Sequence, residues 1–329
     1  MITRRDFGRV LGGTGLALAT PSLVRAQGAG GQWPDRPVRL VVPYAAGGTN
    51  DILARLYGQK LGEKLGQPVV VENRAGAQGI VGTEAVSTAR PDGYTLLLGA
   101  MGPIVYNPAT YERLPYDSMR DLMPVCRMVV VPVTLVVGAN SPYRDLNALL
   151  EAGRTKPDGL TYGTSSAAFQ LPTELLNQRA RTRMIFVAYR SAADSINAAA
   201  NGEVDIGVMD TGAISAALQG GRIRALTVLS PTRDPNFPDI PAISEQGYPD
   251  FDANTFSGLF APAGTPAAIV DRLAGLCDGI SAEADLKEKM QALGMTPSPQ
   301  PRAEFSRYIA ERIPFWRDVA KRAGLQLER

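Results

Sequence analysis

Short apolar runs alternate with stripes of apolar residues spaced four apart along most of the chain. The first run, Val38-Arg39-Leu40-Val41-Val42-Pro43, predicts a strand that ends at Ala45-Ala46-Gly47-Gly48. A helix is expected next. Leu53, Tyr57, Leu61 and Leu65 recur at four-residue intervals with Ile52 and Leu56 on the same face, and Gly66 and Pro68 stop it. Val69–Glu72 and Thr95–Gly99 predict further strands around a helix from Ile80 to Ala89. The run Val129–Val137 is long for one strand, as expected of a segment that crosses between domains. Beyond it, strands are predicted at Leu160–Gly163, Met184–Val187, Val204–Met209 and Ile223–Leu229, with helices at 145–155, 170–180, 191–200 and 212–219 between them. Prolines 231, 235, 238, 241 and 249 mark Ser230–Asp252 as loop. Gly258–Ala261 is a last strand, and helix is expected from Pro266 to the end with a break at Gly294–Pro301. In that final segment Phe305, Ile309 and Ile313 form a core-facing series. Such alternation predicts an α/β protein with parallel sheets covered on both faces, arranged as two lobes facing a cleft.

Composition narrows the chemistry. Apolar residues make up 45% and charged residues 20%, so a sizeable core forms. The chain has no histidine, which excludes Ser-His-Asp and Cys-His catalysis and every metal site that needs imidazole. Cys126 and Cys277 are too far apart in sequence for a CxxC redox pair. An oxidising compartment would permit a disulfide between them; buried free thiols are the other expectation. A net charge of +2 is no electrostatic footprint for nucleic acid.

Residues 1–26 read as an export signal. Arg4, Arg5 and Arg9 precede the short apolar run Val10–Ala19, and Val24-Arg25-Ala26 fits a cleavage site. The run falls short of the ~20 residues that span a bilayer. Paired arginines before Asp6-Phe7 point to the twin-arginine route, an ordinary secretory signal being the alternative. Without Arg4, Arg5, Arg9, Arg25 and Asp6 the balance becomes 30 basic against 31 acidic residues, a net of −1.

Two strand-to-helix loops carry the candidate chemistry. Pro43-Tyr44-Ala45-Ala46-Gly47-Gly48-Thr49-Asn50-Asp51 leaves amide N–H groups uncovered at a helix N-terminus, where the donors and the macrodipole favour an anion. Asp51 is expected to cap that helix or sit in its first turn. The second loop, Tyr162-Gly163-Thr164-Ser165-Ser166-Ala167-Ala168-Phe169, is small and rich in hydroxyls. Neither carries Lys or Arg, and neither fits a phosphate-binding or nucleophile motif. One loop from each lobe makes a clamp for a small carboxylate. Asp205 and Asp210 flank a strand like a carboxylate pair, with helix capping the expectation for Asp210, and Arg190 reads as a solvated surface residue.

Pro43-Tyr44-Ala45-Ala46-Gly47-Gly48-Thr49-Asn50-Asp51 also resembles the PFxxGGxxD segment of the tripartite tricarboxylate transporter receptor family, the Bug or TctC-like periplasmic solute-binding proteins. The likeness continues through Val71–Gly79, Pro91-Asp92-Gly93-Tyr94-Thr95, Gly202-Glu203-Val204-Asp205, Arg224–Val228 and Gly258–Pro266, in order along the mature chain. The resemblance implies a two-lobed type II periplasmic binding protein that closes like a flytrap, has no cofactor and does no chemistry. Its implied ligand-binding residues are Tyr44, Ala46, Gly47, Gly48 and Asp51 from the first lobe and Thr164, Ser165, Ser166 and Ala167 from the second. Tyr189 and Asp210 fall near the cleft, and Met101 falls where the family often has a small hydroxyl residue.

Three departures stand out. The second loop is less glycine-rich than is usual, with Gln170 nearest the family's histidine; Tyr44 stands for the common phenylalanine; and Arg190-Ser191 replaces Lys-Gly. With Phe169, Met101 points to a more apolar pocket, for an aromatic or longer aliphatic carboxylate. The expected organisation is a signal at 1–26, lobe 1 at 27–136 and 257–329, and lobe 2 at 137–256. The hinge is expected at Val136–Gly138 and Thr255–Leu259, with C-terminal helices on lobe 1. The expected partner is a membrane permease or a sensor that reads the closed form, with no nucleic acid and the receptor itself a monomer. The alternative is a periplasmic enzyme on the same scaffold.

Overall fold

The computed structural model describes residues 33–165 and 167–325, so the export signal expected at 1–26 lies outside the described residues. The chain first builds β1 (Val38–Val42), α1 (Thr49–Leu65), β2 (Val69–Asn73), α2 (Ile80–Ser87) and β3 (Thr95–Ala100). A wide helical turn at Gly102–Tyr106 leads into the short α3 (Asn107–Thr110) and then β4 (Leu122–Val131). The second sheet layer comprises β5 (Val133–Gly138), α4 (Leu146–Thr155), β6 (Leu160–Thr164), α5 (Gln170–Ala180), β7 (Met184–Ala188), α6 (Ala192–Asn201), β8 (Ile206–Asp210), α7 (Thr211–Gln219) and β9 (Ile223–Val228). The chain returns through β10 (Thr255–Pro262) and finishes with α8 (Ala267–Ala282), α9 (Ala284–Ala292), β11 (Thr296–Gln300) and α10 (Arg302–Arg322).

Strand order is β11-β4-β10-β3-β1-β2 in a six-stranded sheet and β7-β6-β8-β5-β9 in a five-stranded sheet. The expectation of parallel sheets holds only in part. β1 pairs parallel with β2 and β3, and β6 with β7 and β8, but β10 runs antiparallel to β3 and β4, and β5 antiparallel to β8 and β9. β5 and β10 are the strands by which the chain enters each sheet from the other, so each runs against the direction of the βα repeats, and the edge strand β11 is antiparallel to β4 as well.

The change of sheet falls at Pro132, not at 136. Val133 already pairs with Asp210 in the second sheet, and Val131 still pairs with Thr255 in the first. Proline has no N–H to continue a ladder, so the apolar run Val129–Val137 splits there into two strands. The return likewise precedes the expected residue 257, because Thr255 and Phe256 are already in register with Val131 and Val130. The crossover therefore lies at Pro132 and just before Thr255, whereas Val136–Gly138 is the second half of β5, paired with β9.

Two further elements depart from the expected pattern. β4 begins at Leu122, where Pro124 and Arg127 hide the strand by interrupting its apolar run. The break expected at Gly294–Pro301 contains β11, an edge strand whose Pro297 and Pro299 suit a position with one unpaired side. Arg127 fastens it, donating to the Ser298 carbonyl at 3.0 Å and the Ser298 hydroxyl at 2.7 Å.

Packing explains why these stripes become helices. α1 buries Leu53, Ala54, Tyr57, Leu61 and Leu65 against the first sheet, while Ile52 and Leu56 stay half-buried. Each fully buried Leu contributes about 1.5–3 kcal/mol. The Tyr57 and Ser281 hydroxyls lie 2.7 Å apart, so the polar tip of the largest α1 core residue finds its partner on α8. α10 buries Phe305, Ile309 and Trp316, with Phe305 set edge-on to Phe256 at 5.0 Å. It also reaches the second sheet layer, where Gln178 of α5 donates to the Val319 carbonyl at 2.9 Å.

Candidate functional site

The C-terminal ends of β1, β3 and β8, the start of α1 and the turn before α5 converge on a cavity of about 260 Å³. The first layer supplies Tyr44, Gly48, Thr49, Asn50, Ala100, Met101 and Gly102; the crossover supplies Val131, Thr255, Phe256 and Ser257; the second layer supplies Ala168, Phe169 and Asp210. Both expected loops meet at this cavity, but only part of each faces it.

In the first loop, Gly47 adopts φ +84, a turn that a side chain would strain. Its N–H donates to Asp51 at 2.9 Å, and Arg55 Nε donates to the same carboxylate at 3.0 Å. Asp51 is 4% exposed. The Arg55 hydrogen bond, joined by those from Gly47 and Asn73, holds its carboxyl below the usual range against the opposing effect of burial. Asp51 thus braces the loop from behind and is not part of the cavity wall; Ala46 and Gly47 also lie outside that wall. Gly48 is the N-cap of α1, and no side chain caps the helix there. Tyr44 lines the cavity, and burial pushes its phenol up, keeping it a neutral hydrogen-bonding group.

In the second loop, Thr164 is buried at the end of β6 and Ser165 is half-buried, both outside the described wall. Ser166 and the Ala167 side chain lie outside what is described. Phe169 closes one side. Tyr189 also stands off the wall, its N–H donating to the Thr164 carbonyl at 3.0 Å. Its ring lies over Gly163, where a Cβ would come within 2.7 Å of it, so the glycine fixes how Tyr189 rests on the loop.

Asp210 is the one charged side chain among the cavity-lining residues. It N-caps α7 by accepting from the Ala213 N–H at 3.0 Å, and burial pushes its carboxyl up. Asp205, its apparent pair, accepts instead from the Thr161 amide and hydroxyl and pairs with Lys156. Arg190 is exposed. Sequence reasoning missed Thr49, Asn50, Val131, Thr255, Phe256 and Ser257. The first two sit inside the glycine loop already singled out; the others require knowing that the crossover forms the cavity floor. The set of neutral donors, one carboxyl and six apolar side chains suits binding of an organic anion. Among the described lining residues it places no nucleophile in a hydrogen bond with a base.

The family model for the tripartite tricarboxylate transporter family receptor matches residues 53–325. The chain belongs to this receptor family. A protein from the tcbD-tcbE intergenic region of Pseudomonas sp. strain P51 is 38% identical to this receptor over 290 residues, covering 87% of this chain and 85% of the relative. Among solved structures, an R. palustris protein with adipate is 32% identical at a TM-score of 0.78, covering 89% of this chain and 98% of that one. MatC from Rhodopseudomonas palustris, with bound malate, is 30% identical at 0.74, covering 87% and 99%. The receptor shares their two-lobed periplasmic binding-protein fold.

Proposed function

We propose that this receptor captures a small organic carboxylate in the cavity between its lobes, releases it unchanged, and is read in its closed form by a membrane permease. The observation that carries this reading is the start of α1. The N-cap and first residues of a 17-residue helix, Gly48, Thr49 and Asn50, line the cavity, and Gly48 offers no side chain to cap the N–H groups there. Those amides and the macrodipole favour a carboxylate. The one acidic residue in that turn, Asp51, is neutralised from behind by Arg55 at 2.9 Å, so it does not repel an anion. Adipate and malate in the related structures are ligands of this chemical class.

The apolar part of the ligand would rest on Met101, Phe169 and Phe256, which favours an aromatic or longer aliphatic acid over a short one. Thr49, Asn50, Ser257 and Asp210 are the polar groups in reach, the last accepting from a ligand hydroxyl or, when protonated, donating to its carboxylate. Closure would turn the lobes about Pro132 and the stretch before Thr255. Binding and hinge movement then share one free energy.

Equilibrium dialysis against adipate and benzoate, followed by NMR of the recovered acid, tests the reading. Saturable retention with quantitative recovery is expected. Conversion of the acid would replace the receptor with an enzyme.

A further inference from the structure

The two lobes touch at a pair of glycines beside the crossover. Gly212 is the second residue of α7, in the second lobe, and Gly294 is the residue between α9 and β11 of the first that meets it. A Cβ on Gly212 would overlap the Leu293 carbonyl oxygen and stand 3.1 Å from its carbon and 3.3 Å from the Gly294 Cα. A Cβ on Gly294 would overlap the Gly212 Cα and stand 2.5 Å from its nitrogen. The obstacle on both sides is backbone, which cannot swing away as a side chain would.

Position makes this contact consequential. Thr211, one residue earlier, donates its N–H to the Pro132 carbonyl at 3.2 Å, so the start of α7 is tied to the crossover itself. Asp210, one residue before that, is a wall of the cavity. On the other side, Gly294 leads into β11, whose Thr296 pairs with Val130 just before the same crossover. Any separation at the glycine pair therefore changes the angle between the sheets next to their pivot, and moves one cavity wall with it.

We propose that Gly212 and Gly294 form the bearing on which the two lobes meet, and that the missing Cβ at 212 sets the interlobe angle at which the cavity is enclosed. Both are positioning residues: neither belongs to the cavity wall. The consequence for ligand affinity rests on the carboxylate-receptor reading above, so the test reads the angle without ligand.

Gly212→Ala is the natural variant because its φ is not in the left-handed region and alanine is the better helix former. Gly275→Ala serves as the control, since a Cβ there meets open space within α8. Nitroxides on Val70→Cys and Ile185→Cys, exposed positions of β2 and β7, report the interlobe distance by pulsed electron resonance; Cys126 and Cys277 are buried and stay unlabelled. In the ligand-free protein, Gly212→Ala should displace the distance peak by about 1 Å or more, the movement needed to restore ordinary contact. It should still unfold in one cooperative step, at a midpoint below that of the unmodified chain because the wedge costs packing, and Gly275→Ala should leave the peak in place. Gly294→Ala, strained by its φ of +68, repeats the wedge from the other lobe. An unshifted peak in a folded Gly212→Ala or Gly294→Ala chain overturns the proposal. So does failure of both variants to fold, because the pair would then belong to one continuous core.

Discussion

The Ser257 hydroxyl donates to the Asn50 side-chain oxygen at 2.6 Å, joining the return strand β10 to the first turn of α1 inside the cavity. Ser257 is 5% exposed, so the bond is sheltered from water. With its oxygen committed to Ser257, Asn50 keeps its NH2 group as the donor it can offer a ligand in the cavity it lines. Ser257→Ala should cost about 1 kcal/mol of stability in a urea titration, and about fivefold in affinity for a bound carboxylate. A loss of stability with no change in affinity would remove Asn50 from the ligand contacts.

Phe169 and Met101 face the cavity from opposite lobes, so they set the room left for the body of a ligand. Phe169→Ala removes apolar contact worth about 1.5–3 kcal/mol and should weaken aromatic or long aliphatic acids by tenfold or more, leaving short acids near their original affinity. Calorimetric titration of a homologous series measures this directly. Substitutions at Ala167, Phe169 and Met101 that together leave ligand preference unchanged would contradict an apolar subsite.

Asp51 and Asp210 should drive stability in opposite directions with pH. The Asp51 carboxyl is held below its usual value by Arg55, so its contribution is complete above that value, near 3.8, and is lost as pH falls through the folded value. Burial raises Asp210, so the folded state holds its proton more tightly, and stability falls as pH rises from near 3.8 through the raised folded value. Arg55→Ala should flatten the acid-side loss. Asp210→Asn keeps an oxygen to cap α7 while removing the buried charge, and should abolish the opposing fall. Thermal midpoints measured from pH 3 to pH 7 separate the two variants.

The repeating strand–turn–helix units were legible because each helix stripe and each strand run is local: the first-layer elements from Val38 to Ala100 and the helix Gln170–Ala180 lie where periodicity puts them. What sequence could not supply was direction. The length of Val129–Val137 marks it as a crossing segment and Pro132 marks the break, but nothing in the run says which strands each half pairs with or in which direction. The same gap hid half of the cavity. Tyr44, Gly48 and Met101 follow strands that the pattern marks, whereas Ser257 and Phe256 matter only because β10 returns between β3 and β4. Asp51 shows the converse: its type and place marked it as a candidate contact, yet the side chain turns to Gly47 and Arg55.

Cys126 of β4 and Cys277 of α8 are free thiols, each 1% exposed; the neighbouring Cys126 thiol and burial hold the Cys277 thiol well above its usual range. Neither should react with an alkylating reagent in the folded protein, and two equivalents should react after denaturation. Rapid modification of the native chain would show that α8 lifts from the sheet.

The central claim is that the mouth of α1 selects a carboxylate. Thermal shift of the protein from Gln27 onward, stripped of co-purified ligand, against mono-, di- and aromatic carboxylates and their primary amides tests it most directly. An acid present at 100 times its dissociation constant should add about 2.7 kcal/mol to the folded state, while its amide leaves the midpoint unchanged. Equal shifts for acid and amide, or none across the whole set, would contradict the carboxylate clamp.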